Sequence, residues 1–138
     1  MPRLDTIHQA VKQALINDGW TITDDPYIIE YQELTLYADL AAERALAAER
    51  GEQKIVVEVK SFIGLAKLQE LKTALGQYDI YASFLELLTP DRKLYVAVSA
   101  QIHADFFSRP AIQVVMRRTR LPLIVVDLDT EEVVQWIN

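Results

Sequence analysis

The sequence predicts an α/β fold, a mixed β-sheet with helices packed against it. Two observations carry this. Segments of helical period alternate with short β-branched runs, in the order helix, strands, long helix, strand, short helices, strands. A sheet covered by helices is the simplest packing that buries both kinds of apolar face. The second observation is size: 138 residues, 51% of them hydrophobic, fit one domain over 1–138. Folding at this length buries roughly two-thirds of the unfolded chain's surface, enough for a core.

The elements follow in order. Over residues 4 to 18, Leu4, Ile7, Val11, Ala14 and Leu15 fall on one helical face, and Gly19 is a natural stop. Trp20 to Thr23 alternates like a strand, and Asp24-Asp25-Pro26 signals a turn. Tyr27 to Tyr31 and Leu34 to Leu40 read as two strands joined by a tight turn at Gln32-Glu33. Residues 41 to 50 are ambiguous, because their Ala, Glu, Arg and Leu content favours helix. The polar tip Arg50-Gly51-Glu52-Gln53 tilts the reading toward a strand over Leu46 to Glu49, paired with Ile55 to Val59.

Residues 65 to 88 form the longest helical stretch, with Leu68, Leu71, Leu75, Tyr78, Ala82 and Leu85 at helical spacing and Thr89-Pro90-Asp91 ending it. Leu94 to Val98 is a buried-type strand. Residues 100 to 107 and 111 to 118 read as helices separated by Pro110. Leu123 to Val126 and Val133 to Ile137 are the last strands, turning at Asp129-Thr130.

Composition bounds the function. The chain has no Cys, which excludes disulfides and thiolate metal sites. No apolar run approaches the ~18 residues of a membrane helix, and Met1 to Asp5 holds no apolar signal region. A soluble, cytoplasmic protein is expected. The net charge of -6 weighs against strong unaided binding to a phosphate backbone. It leaves a nuclease open, since a bound cation would offset the charge of a carboxylate site.

The chemistry-bearing residues sit mid-chain. In Ile55-Val56-Val57-Glu58-Val59-Lys60, strand alternation puts Val56, Glu58 and Lys60 on one face. A carboxylate and an ammonium thus project from the end of an apolar strand, where charges need partners. Asp39 is a strand-disfavoured acid in the apolar run Leu36-Tyr37-Ala38-Asp39-Leu40. Two carboxylates on neighbouring strands can chelate Mg²⁺ or Mn²⁺, and a nearby Lys can orient water or steady phosphoryl charge.

Asp39, eighteen residues, then Glu58-Val59-Lys60 resembles the signature of the PD-(D/E)XK nuclease superfamily, with Ala38 replacing the usual Pro. Gln77-Tyr78-Asp79-Ile80-Tyr81 resembles the QxxxY helix motif of its RecB-like members, with Gln77 and Tyr81 on one helix face. A resemblance over nearly the whole chain is to the XisH family. It is carried by Ile7 to Lys12, Asp18 to Thr23, Tyr37-Ala38-Asp39-Leu40, Val57 to Phe62, Ala74 to Tyr78 and Gln135-Trp136-Ile137. That family is described as controlling factors for excision of a DNA element, paired with a small partner, XisI.

The resemblance implies a restriction-endonuclease-like core. It implies Mg²⁺ or Mn²⁺ on Asp39, Glu58 and the Val59 carbonyl, Lys60 at the attacking water, and Gln77 and Tyr81 on the DNA backbone. DNA and a XisI-like protein are the expected partners, and a homo-oligomer is left open. Two functions stay open: a metal-dependent DNA endonuclease or nickase, and a non-catalytic accessory factor with a nuclease-like fold. Bland readings stand beside them. Asp39, Glu58 and Lys60 also suit a salt-bridged cluster at a sheet end, and Gln77 and Tyr81 suit helix packing. His8, which faces nearly the same way as Asp5 and Lys12, reads as structural or solvated more readily than as an accessory site residue. Arg117-Arg118-Thr119-Arg120, the one dense basic run, suits a phosphate contact or a solvated helix end.

Overall fold

The computed structural model describes residues 4–36 and 45–138. The chain opens with α1 (Leu4–Asn17), stopped by Gly19 at φ +94°, a conformation glycine adopts freely. β1 (Thr21–Asp24) follows, then a hairpin of β2 (Ile29–Tyr31) and β3 (Leu34–Leu36). β4 (Ala45–Arg50) and β5 (Gln53–Val59) form a second hairpin, turning at Gly51 with φ +60°. The helix α2 (Lys67–Leu88) leads to β6 (Arg92–Ser99). A single α-turn, α3 (Ala100–Ile102), runs into a π-helical turn over His103–Phe107. Then come α4 (Pro110–Thr119), β7 (Leu123–Asp127) and β8 (Glu132–Ile137).

Six strands form one mixed sheet in the order β1-β4-β5-β6-β7-β8. β5–β6 and β6–β7 are parallel, and the other neighbours are antiparallel. Each parallel link needs a crossover, supplied by α2 and by the α3–α4 segment. The shared handedness of such crossovers puts both on one face. α1 covers the other, where Ile7, Val11 and Leu15 pack on Ile55, Val57, Val59, Ala97, Ile124 and Val126. On the crossover face Leu71 and Ala74 meet Val96, Val98, Phe106 and Phe107, while Tyr81 and Leu85 meet Val56 and Leu94. Burial on both faces is why the central strands read as unbroken apolar runs. This is the restriction-endonuclease-like α/β arrangement that the sequence predicts.

Two elements show what overrides local preference. The helix-favouring run before Arg50 is a strand, because Leu46, Ala47 and Ala48 are fully buried against their neighbours. The helix expected over 100 to 107 widens into a π-turn, and both Phe106 and Phe107 enter the core. Their rings lie 5.9 and 5.3 Å from that of Phe62. Residues 37 to 40 of the expected third strand lie outside the described residues. Among the described residues no helix is long and apolar enough to cross a membrane.

The register defines the two ends of the sheet. Ala45 stands opposite Glu58, and Asp24 opposite Ala47, which faces Val56. The end of β1, the start of β4 and the end of β5 therefore share one end. The starts of β5 and β6 share the other, while β7 joins β6 only from Val96 onward, so that Leu123 and Ile137 are level with Glu58.

Candidate functional site

Glu58 and Lys60 are both buried, at 3% and 7% exposure, where β5 runs out. Alternation in β5 turns Glu58 to the crossover face, in register with Val96 of β6, and Lys60 N–H continues the ladder by donating to the Ala97 carbonyl at 3.0 Å. The Lys60 ammonium lies 3.4 Å from Glu58 Oε1 and donates to Gln77 Oε1 on α2. The sequence-predicted Glu58, Lys60 and Gln77 are thus brought together. Tyr81, one helical turn beyond Gln77, is 6% exposed and packs its ring among Ile29, Val56, Leu85 and Leu94.

The chain just after Lys60 is held in a strained shape. Phe62 adopts φ +51°, uncommon for a bulky residue, and its side chain is 1% exposed. The Lys67 ammonium donates to the carbonyls of Phe62 and Gly64, at 3.0 Å each, and clamps the loop onto the start of α2. A cavity of about 370 Å³ opens beside this loop, lined by Lys60, Phe62, Gly64, Leu65, Gln69 and Glu70. Alternation locates Lys60 in the sequence, but nothing in Phe62's identity announces a left-handed residue.

Asp39, the other predicted anionic ligand, lies outside the described residues, as does the side chain of Asp5. Among the described residues no group of three or more His, Cys, Asp or Glu is placed to hold a metal. The described donors toward a divalent cation are the Glu58 carboxylate and the Val59 carbonyl, hard oxygens of the kind Mg²⁺ takes.

α1 carries a second polar cluster to the same sheet end. His8 is 3% exposed and its Nε2 lies 2.9 Å from Asp25 Oδ1. Lys12, one turn on, donates to Asp25 Oδ2 at 3.1 Å. The helix spacing of His8 and Lys12 was legible, whereas Asp25 reads as a turn residue and was missed. His8 is buried and not solvated, because Asp25 satisfies one of its ring nitrogens. Burial pushes the Asp25 carboxyl up, but the Lys12 ammonium and the His8 ring outweigh it and hold the carboxyl below its ordinary value. Such a carboxylate stabilises the fold above its unfolded pKa, and that contribution fades as pH falls through the lower, folded value. Asp25→Asn should cost about 1–3 kcal/mol at neutral pH. In urea melts the gap from wild type should narrow as pH drops below 3.8; a gap unchanged with pH would contradict this pairing.

Arg117 and Arg118 sit in the last turn of α4 and Arg120 caps it, all three exposed.

The comparisons agree with this geometry. The sequence profile of the family described as XisH protein matches residues 1–134. No curated protein matches the chain. Two solved structures do, each with a TM-score of 0.88 over 97% of this chain. One is an XisH family protein from Nostoc punctiforme PCC 73102, 37% identical and covered over its whole length. The other is a fdxN element excision controlling factor protein from Anabaena variabilis, 39% identical and covered over 99% of its length. Match, identity and coverage together make this chain a member of the XisH family.

Proposed function

We propose that the chain is a divalent-metal-dependent DNA endonuclease or nickase of the PD-(D/E)XK type, acting in excision of a DNA element. One observation carries the reading: a Glu58–Lys60 pair is buried at the end of β5, met by the half-buried Gln77 of α2, beside an open cavity. Replacing a buried ion pair with apolar residues is often neutral or stabilising, so stability alone is a poor reason for this one. Buried, partnered charges beside a cleft are where active sites concentrate. The name of the Anabaena variabilis relative, an excision controlling factor, supports the biological setting.

Asp39, Glu58 and the Val59 carbonyl would hold Mg²⁺ or Mn²⁺, which supplies Lewis acidity and a template for the scissile phosphate when bound. Lys60 steadies negative charge on that phosphate and orients the attacking water. Gln77 fixes the Lys60 ammonium so that its charge is aimed before substrate arrives. Tyr81 anchors the same helix face to β5, and with Gln77 sets the wall along which the DNA backbone lies.

The accessory-factor reading has its own support in the net charge of -6, which repels a phosphate backbone and favours acting through a XisI-like partner. A cleavage assay on supercoiled, linear and branched DNA separates the two. With Mn²⁺ or Mg²⁺, and the partner present or absent, nicked or cut product should form and chelator should abolish it. No product under any of these conditions would leave the accessory reading standing alone.

A further inference from the structure

Glu70 lines the cavity of about 370 Å³ beside Lys60, and the metal and phosphate roles of Asp39, Glu58 and Lys60 make no use of it. It stands in the first turn of α2. Its Oε2 is buried and has no hydrogen-bond partner among the described residues. Gly64 makes room for this carboxylate: a Cβ there would lie 3.2 Å from Oε2 and 3.5 Å from Cδ of Glu70. Gly64 is not among the glycines with positive φ, so the close approach, and not the backbone angle, calls for glycine. A buried acceptor without a donor is costly. The terminal carboxylate torsion is broad, so a small rotation turns its free lone pairs toward the cavity.

Phe62, Leu65 and Ala66 give the same cavity apolar walls. Leu65 stands fully exposed at its rim. The loop that carries it is fixed by the left-handed Phe62 and by the Lys67 ammonium on the Phe62 and Gly64 carbonyls. Leu65 is therefore held out into water and not free to fold back. Charge narrows the choice of occupant. The Lys60 ammonium borders the cavity and the Lys67 ammonium is tied to its loop, so an incoming cation meets two like charges. Among the described residues no further pair of His, Asp or Glu joins Glu70 to hold a metal. A neutral planar group with N–H donors along one edge satisfies both the apolar walls and the unpaired acceptor.

We propose that the cavity takes a nucleobase turned out of the duplex next to the cleaved phosphate, guanine above the others, and that Leu65 fills the vacated place in the stack. This rests on the endonuclease reading, in which Lys60 meets that phosphate. Lys60 also lines the cavity, so the phosphate and base positions adjoin. Guanine sets a ring N–H and an amino N–H side by side, two donors for the two oxygens of Glu70. Thymine offers one N–H between two carbonyl oxygens, which a carboxylate repels. Apolar side chains that wedge open a base step, and pockets that read an extruded base along its pairing edge, are general devices of proteins that reach a base inside a duplex.

The test is binding of the full chain to short labelled duplexes in Ca²⁺ at low salt, read by fluorescence anisotropy, so that no cleavage is needed. The probes are a fully paired duplex and the same duplex carrying one unpaired guanosine, thymidine or abasic residue. An unpaired base has no pairing to lose on extrusion, so the guanosine duplex should bind about tenfold more tightly than the thymidine and abasic ones. Glu70→Gln exchanges one acceptor for a donor and should erase that preference. Leu65→Ala, on an exposed side chain, should melt like wild type and weaken binding of the paired duplex several-fold more than of the guanosine duplex. It serves if Glu70→Gln fails to fold. Equal affinity for the guanosine, thymidine and abasic duplexes, or none for any, overturns the pocket even where Mn²⁺-dependent cleavage is intact. So does a guanosine preference that survives in folded Glu70→Gln, or a Leu65→Ala protein that binds every probe like wild type. Guanosine-selective binding without any Mn²⁺-dependent product supports the pocket and removes the endonuclease reading instead.

Discussion

Lys60→Ala should lower metal-dependent cleavage by at least about 10²–10³-fold, the usual loss when one preorganised charge-stabilising donor is removed. The structure adds a second consequence. The Lys60 ammonium lies 3.4 Å from a Glu58 carboxylate that is 3% exposed, and removing one partner of a buried pair leaves the other inadequately compensated. The variant should therefore melt earlier than wild type in the absence of metal. Lys60→Gln keeps a donor toward Gln77 and Glu58 and should fold better, yet cleave as poorly, because the missing element is the charge. Rates are compared at a temperature where circular dichroism shows both variants folded. Full cleavage by a folded Lys60→Gln protein would remove Lys60 from the reaction. Cleavage lost only in step with folding would make it a structural residue.

Much of this fold was legible because its signals are local. Gly19 and Gly51 stand where φ is positive, and the apolar period of α1 and the β-branched runs of β5 to β7 match their burial, whereas α2 buries Leu71, Ala74, Tyr81 and Leu85 and leaves Leu68 of the expected face exposed. Glu58 and Lys60 were found by alternation, and Gln77 by its helix position and motif. What escaped depends on contacts distant in sequence. The π-turn at His103–Phe107 accompanies burial of two adjacent phenylalanines against Phe62, which no window of helical period reveals. Phe62 itself is left-handed because its ring and the Lys67 clamp fix the loop. Asp25 looked like turn punctuation, and only the packing of α1 beside β1 brings His8 and Lys12 to it.

The central claim is that Glu58 belongs to a metal centre completed by Asp39, and it has a test that assumes no reaction. A divalent cation that binds only the folded chain stabilises it by roughly 2.7 kcal/mol at about 100 times its dissociation constant, which at this size is worth several degrees of melting temperature. Thermal melts of wild type, Asp39→Asn and Glu58→Gln, with and without millimolar Mn²⁺, should show an upward shift in wild type that matched monovalent salt does not reproduce. Both variants should lose most of that shift. Lys60→Ala, whose Glu58 has lost its ammonium partner, should gain at least as much from Mn²⁺ as wild type does. A wild-type melting temperature indifferent to Mn²⁺, together with destabilisation of Glu58→Gln beside Lys60, would instead identify the cluster as a structural salt bridge and contradict the account.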